Sequence, residues 1–187
     1  MSGRYEDEAR AKRRRVAFVA LGSNLGDRAT TLERALGLLA RQVEVTDRSP
    51  WFETDPVGGP PQGRYLNGVV RIETILGPRE LLDLLLRIEA ELGRDRSAEV
   101  ERNLPLNAPR NAPRTLDLDL LAYDDRAIDE PGLRVPHPRM HARRFVLEPL
   151  ATIAPHWRHP ELARTTLELL EELERSSESP ARRGVDV

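Results

Sequence analysis

Residues 113–123 read Pro-Arg-Thr-Leu-Asp-Leu-Asp-Leu-Leu-Ala-Tyr, and the alternation of polar and apolar side chains in this stretch decides the fold. A period of two is typical of a β-strand with one buried face. Asp117 and Asp119 would share the polar face, with Cα atoms roughly 6.6–6.8 Å apart. Two carboxylates at this spacing can flank hard cations such as Mg²⁺. A polar face that simply meets water explains an isolated Asp-x-Asp equally well, so the surrounding residues must decide.

Arginines lie close to this strand in the sequence. Arg114 directly precedes it, and the aperiodic stretch 94–114 holds three prolines and four further arginines, which are Arg94, Arg96, Arg102 and Arg110. Two aspartates on one face repel each other unless a cation lies between them, and guanidinium groups bind phosphate oxygens through paired hydrogen bonds. The combination favours a site for a magnesium–nucleotide complex beside a long loop.

Outward from this strand, the chain alternates strand and helix patterns. Short apolar or alternating runs predict strands at 16–21, 43–52, 65–75 and 115–123. Helical spacing of apolar residues predicts helices at 28–41, 78–92 and 165–174, whereas 140–150 fits a helix or a loop, and the Pro/Gly-dense stretch 55–63 is predicted to be a loop. This irregular alternation predicts an α+β sandwich, with helices packed on a mostly antiparallel sheet.

Length and charge limit the organisation and the partners. A chain of 187 residues fits one domain, expected at 16–175, between charged tails without periodicity at 1–15 and 176–187. The net charge of −2 argues against a broad basic surface for duplex nucleic acid. The first residues lack the apolar core of a signal peptide, and no stretch approaches the roughly 18 apolar residues that a membrane span needs. We expect an unexported protein that binds neither membrane nor nucleic acid.

Residue usage excludes several kinds of chemistry. Cysteine is absent, which rules out disulfides, thiolate zinc sites and cysteine nucleophiles and fits a cytoplasmic location. Lys12 is the single lysine, so phosphate binding falls to arginine.

The segment 22–27 lies between a predicted strand and a predicted helix, as phosphate loops do. No Gly-Lys-Ser/Thr follows it, however, and turn and capping chemistry explain it without a ligand. Pro138, between His137 and His141, argues against a zinc-binding helix.

Six motifs, taken in chain order over about residues 16–175, resemble the 6-hydroxymethyl-7,8-dihydropterin pyrophosphokinase family. They are Ala20 to Asp27, Thr54 to Gly58, Tyr65 to Asn67, Arg87 to Glu89 with Gly93 and Arg94, Pro113 to Asp119, and Val135 to His137 continuing through Arg143 and Phe145 to Leu150. The Pro-Arg-Thr-x-Asp-x-Asp run is the most specific. The resemblance implies a ferredoxin-like α+β fold, usually monomeric, that binds ATP and two Mg²⁺ ions and transfers the diphosphoryl group of ATP to the pterin hydroxymethyl group in folate biosynthesis, with AMP released.

The resemblance also implies roles for individual residues. The metal ligands would be Asp117 and Asp119, which form the catalytic group together with Arg94 and Arg114. The ATP-binding residues would be Glu89, Arg94, Arg96, Arg114, His137 and Arg143. The pterin would lie between Tyr65 and Phe145, and its edges would be recognised by Asn67 and by the backbone around Thr54, Pro56 and Val57.

Departures from the family pattern leave some contacts open. Asn111 stands where the family commonly has tryptophan, Pro138 stands where tyrosine is often found, and the interval between Arg96 and Arg114 is longer than usual. The motif Asn-Ala-Pro-Arg occurs twice at 107–114, so Arg110 could serve the phosphate in place of Arg114, although the arginine next to the strand is favoured.

Two other functions compete with this interpretation. A polymerase-β-like nucleotidyltransferase also pairs Gly-Ser with Asp-x-Asp, but in that class the two lie close together, whereas Gly22 and Asp117 are 95 residues apart. A ferredoxin-like RNA-binding module would need stacking aromatics on its central strands and a basic face.

Overall fold

The computed structural model describes residues 13–94 and 113–178 and contains one main antiparallel sheet. Its strands are β1 (Arg15–Ser23), β2 (Glu44–Arg48), β3 (Phe52–Thr54), β4 (Tyr65–Thr74) and β5 (Asp117–Tyr123). The strand order is β2-β4-β1-β5, with β3 also paired to β4, and all pairs are antiparallel. The predicted α+β class with a mostly antiparallel sheet is confirmed.

Four helices cover the two faces of this sheet in the described part of the chain. They are α1 (Arg28–Ala40), α2 (Pro78–Glu91), α3 (Arg144–Ile153) and α4 (Thr166–Glu178), and a small hairpin, β6 (Ile128–Glu130) with β7 (Leu133–Val135), follows β5. Helices α1 and α2 pack on one face through a large apolar cluster that includes Leu21, Leu32 and Leu85. Helix α3 packs on the other face and α4 packs on α3. None of the described helices is long and apolar enough to cross a bilayer.

Local sequence explains where the first two helices begin. The Asp27 side chain accepts a hydrogen bond from the Thr30 N–H at 3.1 Å and caps α1. At α2, the Glu80 carboxylate accepts from the Gly77 N–H at 2.7 Å, and Pro78 occupies the first turn, where a missing N–H costs nothing. Gly93 follows α2 with φ 86°, the left-handed conformation that ends many helices.

The segment predicted as one strand at 43–52 is two strands, so that prediction was wrong in detail. Strand β2 ends at Arg48 and β3 begins at Phe52, because Pro50 has no N–H to donate to a ladder. Ser49 holds the segment between β2 and β3 against β4, because its hydroxyl accepts a hydrogen bond from the Val69 N–H at 3.0 Å. The ambiguous segment 140–150 contains a 3₁₀ turn, Met140–Ala142, and the first part of α3.

Strand pairing creates a shallow floor on the face that carries α3. Gly22 of β1 lies between Asn67 of β4 and Asp117 of β5, and Ala20 pairs with Asp119. Small side chains on the middle strand leave open space above it, and polar side chains on the outer strands border this space. The predicted polar face of β5 is confirmed, because Asp117 and Asp119 are partly exposed while Leu118 and Leu120 are buried.

Several residues of interest lie outside the described ranges. They include most of the two expected tails, Arg96, Arg102, Arg110 and Asn111. Strand β1 begins at Arg15 and α4 ends at Glu178, and the division into a domain at 16–175 and two tails stays a prediction.

Candidate active site

A cavity of about 740 Å³ lies above the floor formed by β1, β4 and β5. Its walls come from the segment after β3, from the 3₁₀ turn with the start of α3, and from Leu173 and Glu174 of α4. The residues that line it include Asp117, Asp119, Asn67 and Phe145. One concave space therefore combines carboxylates with groups suited to a flat heterocycle.

Asp117 is held by two arginines. Arg94 Nη1 lies 2.5 Å from Asp117 Oδ1, and Arg114 Nη1 lies 2.6 Å from Asp117 Oδ2. The Arg94 side chain is only 7% exposed, whereas that of Arg114 is 23% exposed and lines the cavity. The arginine next to the strand, favoured from the sequence, thus contacts the first aspartate.

Asp119 has more distant cationic neighbours. Arg143 Nη1 lies 3.4 Å from Asp119 Oδ2, and His137 Nε2 lies 3.9 Å from the same oxygen. The guanidinium of Arg143 also lies over the ring of Phe145, 5.4 Å from its centroid. Arg143 and His137, both expected at the nucleotide, therefore lie beside Asp119.

The two aspartates differ in their tendency to ionise. Burial disfavours the charged form of Asp117, but the positive charges of Arg114 and Arg94 outweigh it and lower the pKa of Asp117 below 3.8. Burial, and then the negative charge of Asp117, raise the pKa of Asp119 above its ordinary value. Burial also lowers the pKa of His137, which Asp119 only partly offsets. An arriving cation would relieve the repulsion between the two carboxylates.

The donor set fits a hard cation that shares its ligands with a phosphate. Among residues 13–94 and 113–178 no group of three or more His, Cys, Asp or Glu side chains could enclose a metal ion. Two carboxylates alone suit Mg²⁺, which usually takes one or two carboxylates and fills its remaining positions with water and substrate phosphate oxygens. The residues that would hold Mg²⁺ are Asp117 and Asp119.

The same cavity also offers polar edges and aromatic faces. Asn67 Nδ2 donates to Thr54 Oγ1 at 2.7 Å, which orients the amide above Gly22. Tyr65 and Phe145 both line the cavity. Val57 lines it too and is 67% exposed, and Pro56 lies between lining residues. The structure thus brings Thr54, Val57, Tyr65, Asn67 and Phe145, all expected at the pterin, to the wall of one cavity.

A second cavity, of about 410 Å³, lies on the other side of Asp119. His137 and Arg134 line it, together with Leu118 and residues of the β6–β7 hairpin. Asp119 lines both cavities, so molecules bound in the two spaces would meet at this carboxylate. Arg94 and Glu89 line neither cavity and lie beneath Asp117.

Sequence reasoning missed the part played by Asn24. Its Oδ1 accepts from the Arg114 N–H at 2.7 Å, and its Nδ2 donates to Gln62 Oε1 at 2.8 Å. The turn after β1 is thereby tied to the Pro/Gly-rich loop and to the residue before β5. Sequence reasoning also did not place Arg139 and Arg144 at the cavity, although both line it. The run of basic residues at 139–144 was the available signal.

The fold and the site together define an α+β enzyme of the phosphoryl-transfer class. The family model of 7,8-dihydro-6-hydroxymethylpterin-pyrophosphokinase (HPPK) matches residues 18–155, and the chain belongs to this family. Its members use ATP as co-substrate.

Named relatives agree with this assignment. The chain is 48% identical over 140 residues to the 2-amino-4-hydroxy-6-hydroxymethyldihydropteridine pyrophosphokinase of Bacillus subtilis, covering 74% of this chain and 77% of that protein. It is 39% identical over 173 residues to the Synechocystis enzyme of the same name, covering 91% and 83%. The wild-type HPPK-DHPS structure of Plasmodium falciparum superposes with a TM-score of 0.66 at 15% identity, over 89% of this chain. That likeness shows the fold alone, and the chain spans 46% of that longer protein.

Proposed function

We propose that this chain transfers the diphosphoryl group of ATP to the hydroxymethyl group of 6-hydroxymethyl-7,8-dihydropterin. The hydroxymethyl oxygen bonds to the β-phosphorus, the bond between that phosphorus and the α,β-bridging oxygen breaks, and AMP leaves with this oxygen while the hydroxyl proton passes to water. The observation that carries the proposal is the position of Asp119. It lines both the larger cavity, whose lining residues suit a pterin, and the second cavity beside His137.

The pterin lies in the larger cavity. Its ring stacks between Tyr65 and Phe145, and the oriented amide of Asn67 and the backbone at 54–57 pair with its polar edges. Asp117 and Asp119 line the same space, so the hydroxymethyl group of the bound pterin faces them.

The triphosphate of ATP lies along β5 and its flanking arginines. Arg114 and Arg143 line the cavity and supply positive charge where negative charge accumulates during transfer at phosphorus. His137 and Arg134 line the second cavity, where the nucleoside would lie. Transfer of this kind requires mainly alignment and charge neutralisation, which fits a site without an evident general base.

Two Mg²⁺ ions complete the site, with Asp117 and Asp119 as their protein ligands. When bound, they polarise the phosphate oxygens and fix their direction relative to the attacking hydroxyl. A bound cation would favour the ionised form of Asp119, whose pKa is raised in the metal-free protein by burial and then by the charge of Asp117. Asp117, which contacts Arg94 and Arg114 in the metal-free protein, would share its carboxylate between these arginines and the cation.

The remaining expectations concern partners and location. We propose a cytoplasmic monomer that acts on small molecules and does not bind nucleic acid or membrane. Size-exclusion chromatography with light scattering tests the monomer, and a mass of twice 21.2 kDa would contradict it.

A single incubation tests the reaction. The protein with Mg-ATP and the pterin is expected to give AMP and pterin diphosphate in equal amounts, both measured by chromatography. Asp119→Asn provides the control and is expected to slow turnover on the order of 100–1,000-fold. Pyrophosphate in place of AMP would support the nucleotidyltransferase alternative, and absence of pterin-dependent AMP would contradict the proposal.

A further inference from the structure

Glu89 is a carboxylate buried beneath the proposed metal site. It lies on the inner side of α2, is 0% exposed and lines neither cavity. Removing a carboxylate from water is costly unless charged and hydrogen-bonding partners replace the solvent. Its position within an otherwise apolar stripe of Leu81, Leu85 and Ile88 therefore calls for a reason other than packing.

The contacts of Glu89 lead directly to the aspartate strand. Its Oε1 accepts from the Leu118 N–H at 2.7 Å, and Leu118 is the residue between the two aspartates. The same oxygen accepts from Arg94 Nη1 at 2.5 Å. The Arg94 N–H also donates to the Glu89 carbonyl at 2.9 Å, so the end of α2 and the guanidinium are fixed together.

Arg94 in turn lies between two carboxylates. Its Nη1 contacts Asp117 Oδ1 at 2.5 Å and the Leu116 carbonyl at 3.3 Å, in addition to Glu89. The carboxylates of Glu89 and Asp117 therefore share one guanidinium group, that of Arg94. If the charge of Glu89 were removed, Arg94 would lose one anionic partner and pair more closely with Asp117, and a tighter ion pair would compete with any cation for the same oxygen.

We propose that Glu89 is a positioning residue for metal and nucleotide binding, and that it acts without touching the nucleotide. By accepting from the Leu118 N–H it sets the direction in which the carboxylates of β5 project, and by sharing Arg94 it keeps Asp117 available to a cation. The inference rests on the proposed function, and it replaces the direct ATP contact that the family resemblance implies for Glu89.

Two substitutions separate the charge of Glu89 from its shape. Glu89→Gln keeps the length and one acceptor oxygen but removes the charge. Substitution of a residue that contacts a metal ligand, and not the metal itself, typically changes metal affinity about 10–100-fold. Glu89→Asp keeps the charge on a shorter side chain and is expected to restore part of the affinity. Glu91→Gln is the matched control, because it makes the same chemical change at an exposed position of the same helix.

The experiment measures binding, not turnover. Free Mn²⁺ is followed by its paramagnetic resonance signal as each protein is titrated in the presence of α,β-methylene-ATP, and pterin affinity is measured separately by fluorescence. Glu89→Gln is expected to weaken Mn²⁺ binding about 10–100-fold and to leave pterin affinity within about twofold. Glu91→Gln should match the wild type in both measurements.

The outcomes distinguish this inference from the proposed function. Wild-type Mn²⁺ affinity in Glu89→Gln would overturn it, and so would an equal loss of metal and pterin affinity, which would indicate general damage to the fold. If circular dichroism shows that Glu89→Gln does not fold, the same two criteria apply to Glu89→Asp. Failure of the wild type to bind Mn²⁺ with the nucleotide, or to release AMP, would contradict the proposed function itself.

Discussion

At the scale of single residues, Asp117 and Asp119 have the same chemical group in opposite electrostatic situations. Asp117 has two guanidinium groups within 2.6 Å, whereas among residues 13–94 and 113–178 the nearest cationic atom to Asp119 is 3.4 Å away. The lowered pKa of Asp117 and the raised pKa of Asp119 follow from this difference. One carboxylate therefore contributes to the stability of the metal-free protein, and the other reduces it.

Replacing each aspartate by asparagine is expected to shift stability in opposite directions. The raised pKa of Asp119 shows that the folded state disfavours its ionised form, so replacing this carboxylate by the neutral amide in Asp119→Asn should raise the melting temperature of metal-free protein. Asp117→Asn should lower the free energy of unfolding by about 1–3 kcal/mol, because Arg94 and Arg114 lose an anionic partner. Both variants should lose nearly all turnover. Thermal melts in EDTA check the signs, and a lower melting temperature for Asp119→Asn would contradict the assignment.

Phe145 offers an independent test of the pterin end. If its ring stacks on the pterin, Phe145→Ala should weaken pterin affinity by roughly 1–3 kcal/mol and leave the affinity for α,β-methylene-ATP nearly unchanged. Phe145→Leu keeps much of the apolar volume and removes the aromatic face, so it controls for the packing of this side chain against the apolar cluster between α3 and the sheet. Wild-type pterin affinity in the leucine variant would assign Phe145 to the core.

The sequence predicted the chemistry of the site better than the residues that support it. Asp117, Asp119 and Arg114 were identifiable because a strand has a period of two and the arginine is a near neighbour in sequence. The link from Asn24 to Arg114 joins residues 90 positions apart, and the link from Glu89 to Leu118 joins residues 29 apart. Local spacing carries no information about such contacts, which exist only once the sheet and α2 have assembled.

At the scale of secondary structure elements, the pairing of β1 with β4 places Gly22 beside Asn67, the residue proposed to recognise the pterin edge. Gly22 pairs with Asn67, and a Cβ added to Gly22 would lie 2.7 Å from Asn67 Oδ1. That distance is too short for a carbon and an amide oxygen. The absence of a side chain on β1 is therefore a condition for the orientation of the Asn67 amide.

Gly22→Ala is expected to damage pterin recognition selectively. Because Asn67 must turn away from the new methyl group and from Thr54, KM for the pterin should rise about tenfold, equivalent to one lost hydrogen bond of about 1–1.5 kcal/mol. The KM for ATP should change little. Gly37→Ala is the matched control, since a Cβ there meets nothing within 4 Å and α1 gains helix propensity. An unchanged pterin KM in Gly22→Ala would show that the amide is not used.

Element boundaries show where sequence patterns fail. The alternation from 43 to 52 continues across Pro50, so the pattern alone predicted one strand, yet the missing N–H of proline divides it into β2 and β3. The turn before α3 was equally ambiguous, because three residues of 3₁₀ structure are too short to give a periodic signal. In contrast, the bounds of α2 were predicted closely, because its N-terminal residues and its stripe of apolar residues indicate the same segment.

At the scale of the whole molecule, the last described segment connects the core to the cavity. Trp157 contacts Phe18 of β1 at a centroid distance of 5.9 Å, and His159 lies 5.8 Å from Trp157. The following helix, α4, packs on α3 and carries Glu174, which lies 3.2 Å from Arg144 at the cavity wall. Loosening of this segment would therefore reach the substrate site.

Acid is expected to destabilise the molecule through His159. Burial lowers the pKa of His159; the charge of Glu161 opposes this shift and His141 adds to it. The neutral ring accepts from the Glu161 and Leu162 N–H groups at 3.3 Å, contacts that protonation of Nδ1 would remove. Because the folded state holds the proton more weakly than the unfolded state, stability is complete above about pH 6.5 and falls as the pH drops toward the lowered pKa. Urea unfolding at pH 7.5, 6.5 and 5.5 should show this decline in the wild type and in His156→Asn, an exposed control, but a flatter profile in His159→Asn. An equal decline in all three proteins would rule out His159 as its source.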